Sequence, residues 1–196
     1  LRGPVTIAVL PSPTPRMQTH VKKYMVLSAL GKDRPGIVND LSKTILEAGC
    51  NIEDSRMAVL GGEFAVMLLV SGTWNAVAKL EAMAANVAKK LDLTVSVKHT
   101  EPRALKANAV PYLVDVVSMD HPGIVRDIAE FFAARAINIE DMSTWTYAAA
   151  HTGTPMFSLS MTISVPSDQH IGRLRSEFLD FCDDRNLDAT LEPARQ

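Results

Sequence analysis

Asp33-Arg34-Pro35-Gly36-Ile37-Val38, with Asn51-Ile52-Glu53-Asp54 beginning 18 positions after Asp33, is written twice in this chain. The second copy is Asp120-His121-Pro122-Gly123-Ile124-Val125 with Asn138-Ile139-Glu140-Asp141. From Asp33 to Asp54 the copies align without a gap at an offset of 87, and ten of the 22 positions are identical. A period of this size marks a duplicated domain.

Working outward, each copy is preceded by an apolar, β-branched run, Tyr24 to Leu30 and Tyr112 to Val117, suited to a central strand. Asp-x-Pro-Gly then turns the chain into a helix, with proline near the first helical position. Ile37, Val38, Leu41 and Ile45 share one helical face, as do Ile124, Val125, Ile128 and Phe132. Gly49 supplies a helix stop in the first copy, where Ala136 stands in the second. Gly61-Gly62 predicts a tight hairpin, and the second hairpin is longer. Phe157 to Val165 alternates apolar and polar residues as a half-buried strand does, whereas Phe64 to Val70 is apolar on both faces and calls for cover on both. A second amphipathic helix and a short strand close each copy. The order strand, helix, strand, strand, helix, strand predicts an α+β fold: two ferredoxin-like βαββαβ domains, each a four-stranded antiparallel sheet with two helices on one face. The expected boundaries are an irregular extension over 1–20, a first domain over 21–99, a linker over 100–110 and a second domain over 111–193. Met17 is a candidate natural start.

Composition narrows the function. Lys and Arg number 20 against 22 Asp and Glu, a net charge of −2, so no general grip on a phosphate backbone is expected. Gly62-Glu63-Phe64-Ala65-Val66 is a faint match to an RNA-contacting strand, with a glutamate where a cation would help. The apolar run Val5 to Leu10 is too short for a membrane span. Cys50 and Cys182 sit in apolar stretches and read as buried thiols of a reducing compartment, which places the protein in the cytoplasm. The five histidines lack ligand spacing, so no metal is expected, and no cofactor. No nucleophile elbow, phosphate loop or His/Glu pair suggests an enzyme. The nine methionines read as core filling, and Trp74, just inside a helix start, as a packing residue.

Two readings of the repeated loop stay open on the residues alone. The first is a receptor for a zwitterion: N–H groups at a helix start attract a carboxylate, Asp33 or Asp120 takes an ammonium, and the Asn51 or Asn138 amide donates and accepts. The second is a turn and cap joined to a pinned helix-to-strand connection.

Asp-Arg-Pro-Gly-Ile-Val and Asp-His-Pro-Gly-Ile-Val, each followed by Asn-Ile-Glu-Asp, resemble the ACT domain over both repeats, about residues 22–193. That resemblance implies a regulatory module binding a small amino acid at domain interfaces. The implied ligand contacts are Asp33, Arg34, Pro35, Gly36, Ile37, Val38, Asn51 and Ile52, with Asp120, His121, Pro122, Gly123, Ile124, Val125, Asn138 and Ile139 in the second copy. By comparison with serine-binding ACT domains, Asp33 and Asn51 (Asp120 and Asn138) match two ligand-holding asparagines. A third position, histidine there, is Gly31 or Ser118 here. A chain of two ACT domains resembles the glycine-cleavage repressors. This group implies an accessory repressor that responds to glycine or another small amino acid. It also implies action through a transcriptional activator protein without reading DNA, and homo-oligomers through ACT interfaces. A stand-alone ACT module controlling an amino-acid or one-carbon enzyme is the alternative.

Overall fold

The structure, a computed structural model, describes residues 22–102 and 109–194. The expected extension over 1–20 and most of the expected linker lie outside these residues. The chain divides into two units. In the first, β1 (Lys23–Lys32), α1 (Ile37–Ala48), β2 (Asn51–Leu60), β3 (Glu63–Gly72), α2 (Trp74–Leu91) and β4 (Thr94–Thr100) follow in order. The second repeats this as β5 (Ala109–Met119), α3 (Ile124–Ala133), β6 (Asn138–Ala148), β7 (Pro155–Pro166), α4 (Ile171–Asp183) and β8 (Asp188–Pro193). Both sheets are antiparallel and four-stranded, ordered β2-β3-β1-β4 and β6-β7-β5-β8, the expected α+β arrangement.

Alternation along the central strands decides which face each helix pair covers. Met25, Leu27 and Ala29 of β1 pack with Phe64, Val66, Leu68 and Val70 of β3 beneath Ile37, Leu41, Ile45, Val77, Leu80 and Val87 of the helices. Val114, Val116, Leu159, Met161 and Ile163 do the same beneath Ile128, Phe132, Leu174 and Phe178. Each such side chain contributes about 1.5–3 kcal/mol by leaving water. Thr73 caps α2 by accepting from the Ala76 N–H at 3.3 Å, and His170 Nδ1 caps α4 by accepting from the Arg173 N–H at 3.3 Å. Gly61 and Gly62 both have positive φ, the demand of a two-residue hairpin turn. Cys50 and Cys182 are free and buried, and burial pushes the Cys182 thiol up to about 12.

Several sequence expectations need correcting. β5 begins at Ala109 and β4 runs to Thr100, so both ends of the expected 100–110 linker are strand. Pro111 concealed that start; it lies three residues into β5, and its carbonyl still accepts from Ala194 at 3.1 Å. Prolines 35 and 122 precede the helix caps, because Gly36 and Gly123 are left-handed (φ 93° and 104°) and cannot be helical. Val38 lies outside the core at 47% exposure. Trp74 is 68% exposed, and Met57, Met67, Met119 and Met142 are exposed too, so methionine is not chiefly core filling. Met67 leaves the second face of β3 open within its own unit.

Candidate functional site

The repeated loop is built alike in both units. After β1 the Asp33 N–H donates to the Gly62 carbonyl at 3.1 Å, and after β5 the Asp120 N–H donates to Pro155 at 3.0 Å. These bonds fix each loop beside its β-hairpin. Gly36 and Gly123 then start α1 and α3, and neither helix has a side-chain cap, unlike α2 and α4. A Cβ on Gly123 would meet nothing within 4 Å, and one on Gly36 only Arg34 Nη1 at 3.9 Å. Backbone conformation demands glycine here, and the space above it is open.

Among the described residues no side-chain partner is recorded for the Asp33 or Asp120 carboxylate, so capping does not account for them. Arg34 instead folds over the helix start, its guanidinium 3.3 Å from Asp40 and 3.3 Å from the Pro35 carbonyl. His121 takes its place with Nδ1 3.2 Å from the Pro122 carbonyl. Ile37 and Ile124 are core residues, 1% and 2% exposed, and Ile52 and Ile139 are half-buried against the same cores. The Ile37 and Ile124 side chains are thus withdrawn into the core.

Asn-Ile-Glu-Asp has a structural account that the sequence did not reveal. In both units the strand register slips across the glutamate, between Ile52 and Asp54 and between Ile139 and Asp141, making Glu53 and Glu140 bulge residues. The asparagine amide donates to the bulged carboxylate, at 3.5 Å from Asn51 to Glu53 and 2.8 Å from Asn138 to Glu140. Glu53 also accepts from Lys22 at 2.8 Å and from the Ser71 hydroxyl. Those three donors, Lys22 foremost, lower the Glu53 carboxyl to about 2.

The register also separates what the spacing had joined. Asn51 pairs with Ser71, which pairs with Tyr24 at the start of β1; the loop follows Lys32, paired with Glu63, at its far end. Tyr24 and Lys32 are eight residues apart along the strand, about 26 Å. A small amino acid cannot touch Asp33 and Asn51 of one unit, nor Asp120 and Asn138 of one unit.

An open groove of ≈ 590 Å³ lies elsewhere, between α3 and α4. Its apolar floor, Phe131 and Phe181, is already covered by Arg135 and Arg185, stacked 3.7 and 3.9 Å from the ring centres. It has no connection with the loops.

The sequence pattern of the ACT domain matches residues 23–98. The glycine cleavage system transcriptional repressor of Escherichia coli (strain K12) is 32% identical over 168 residues, 86% of this chain and 88% of that protein. The chain belongs to the glycine cleavage system transcriptional repressor family. A crystal structure assigned to such a repressor superposes with a TM-score of 0.68 at 29% identity, covering 90% of this chain and 99% of that one. A protein of unknown function from Galdieria sulphuraria gives 0.72 at 25% identity, covering 89% and 99%.

Each unit is thus an ACT domain, and the departures from serine-binding ACT domains acquire physical causes. At Gly31 a Cβ would come within 2.7 Å of Leu93 Cδ2 and 2.8 Å of the Asp92 carbonyl, so packing forbids histidine. Ser118 is buried and donates to the Met119 carbonyl at 3.1 Å. Neither position offers a ligand group to solvent. Among the described residues, no group of three or more metal-ligating side chains occurs, and no helix is long and apolar enough to cross a membrane.

Proposed function

We propose that this chain is an amino-acid-responsive regulator, an accessory repressor of glycine cleavage that acts through contact with a partner protein. The observation that carries this reading is the repressor relative, matched along most of both chains. ACT-type regulation supplies the ligand class, a small amino acid such as glycine. The loops supply a chemistry for it. At Asp33–Val38 and Asp120–Val125 an uncapped helix start offers N–H groups to a carboxylate, and an exposed aspartate offers its charge to an ammonium. Asn51 and Asn138 stand at the opposite end of the sheet from the loop of their own unit, and each amide already donates to the bulged glutamate beside it.

Thermal denaturation of the whole chain against a panel of small amino acids tests this. Glycine should raise the melting temperature in proportion to the logarithm of its concentration above Kd, because it binds only the folded state. A melting temperature unmoved by every member of the panel at millimolar concentration would sink the proposal.

A further inference from the structure

The whole-chain charge of −2 conceals an unequal division. Residues 22–102 hold ten Lys and Arg against nine Asp and Glu, a net of +1, whereas residues 109–194 hold five Arg, no Lys and thirteen Asp and Glu, a net of −8. All five arginines of the second unit fall on or just beyond its helices, and β5 to β8 carry no Lys or Arg at all. On the face of that sheet turned away from α3 and α4, the register places Asp115, Asp141, Asp188 and Glu192. Among the described residues none of these four has a recorded cation partner. The same face presents Trp145, Tyr147 and Met119, exposed by 50%, 44% and 64%. Trp145 aligns through Ser158 and Val117 with Asp188, three strand spacings or about 14 Å away. The matching face of the first unit mixes the signs, with Lys32, Arg56 and Lys98 beside Asp54 and Glu63.

We propose that the outer face of the β6-β7-β5-β8 sheet docks a basic segment of the regulatory partner. Its Arg or Lys side chains lie over Trp145 and Tyr147 and pair with Asp115, Asp188 and Glu192. Large aromatics ringed by one sign of charge make an anchor for cations, with the rings supplying area and the carboxylates selectivity. The α3–α4 groove also carries carboxylates, but its own arginines occupy it. The proposal rests on the reading of the chain as a regulator that works through a protein partner.

The test is a titration of the 15N-labelled full chain with hexa-arginine amide, with hexaglutamate as control. Amide shifts should concentrate on β5 to β8, weaken with added salt, and be absent with hexaglutamate. Trp145→Ser with Tyr147→Ser, and separately Asp115→Asn with Asp188→Asn, should each weaken binding at least fivefold. Both variants should keep the wild-type thermal response to glycine, which shows that they fold. Shifts confined to α3 and α4, no shifts, or unchanged affinity in both variants would overturn the docking face. A chain that shows the arginine shifts but no glycine response would retain the face and lose the regulatory reading.

Discussion

Gly49 and Ala136 stand at the same point after α1 and α3 and meet the same backbone demand with different residues. Gly49 has φ 85° and Ala136 φ 55°, both left-handed. The bonds that end the two helices also match, Cys50 N–H to Ile45 and Ile137 N–H to Phe132, each at 3.0–3.1 Å. The second unit therefore carries a strain that the first avoids, about 1–2 kcal/mol for a non-glycine residue. Ala136→Gly should stabilise the second unit by about 0.5–1 kcal/mol, the relief less the added chain entropy. Gly49→Ala should destabilise the first by about 1–2 kcal/mol, through φ alone, since its Cβ would sit 3.6 Å from that of Ala76, an ordinary contact. Urea unfolding of both variants checks the opposite signs; a destabilising Ala136→Gly would refute the account.

Glu53 carries a pH dependence. Its folded carboxyl, near 2, lies below the ordinary value of 4.5. The ionised form is thus favoured by folding, and the stability it contributes is present above pH 4.5 and lost as pH falls toward 2. Glu53→Gln should flatten the stability profile across that window and leave its shape above pH 5 unchanged. A profile equally steep in wild type and variant would remove the Lys22, Ser71 and Asn51 contacts from the explanation.

The elements show what was legible and what was not. Strand, helix and hairpin positions followed from periodicity and from turn residues such as Gly61-Gly62, because local chemistry determines them. The bulges at Glu53 and Glu140 were visible only as a phase change. Core-side residues run on even numbers at Ile52 and odd numbers at Met57 and Val59, and the parity reverses likewise between Ile139 and Met142. Reading Asn-Ile-Glu-Asp as a ligand motif merged two distant ends of a sheet, because spacing along the chain says nothing of which end of a strand a loop reaches. Helix α4 offers a plain check on the core. Phe178 is fully buried and packs against Phe131 and Phe132 with ring centres 5.3 and 5.1 Å apart. Phe178→Ala should cost about 3–5 kcal/mol, read as early loss of hydrogen-exchange protection in α3, α4 and β5 to β8. A cost below 1 kcal/mol would mean that the second core is not built around this ring.

At the scale of the whole molecule, duplication explains why the two units share one architecture. The two units keep the same loop, uncapped helix and bulge, yet differ in charge, hairpin length and aromatic surface. Such differences escape whole-chain composition, which adds a near-neutral unit, a strongly acidic one and five Arg and Lys from outside them. The retained features point to a shared ligand chemistry. Isothermal titration of glycine into the wild type, the double variant Asp33→Asn/Asp120→Asn and the double variant Asn51→Ala/Asn138→Ala tests that claim most directly. The account predicts binding to the wild type. It predicts a loss of about 1.5–3 kcal/mol in the aspartate variant, roughly 10- to 150-fold in Kd, with circular dichroism unchanged. A smaller loss is expected in the asparagine variant. Wild-type affinity in a well-folded aspartate variant, or no heat from the wild type itself, would contradict it.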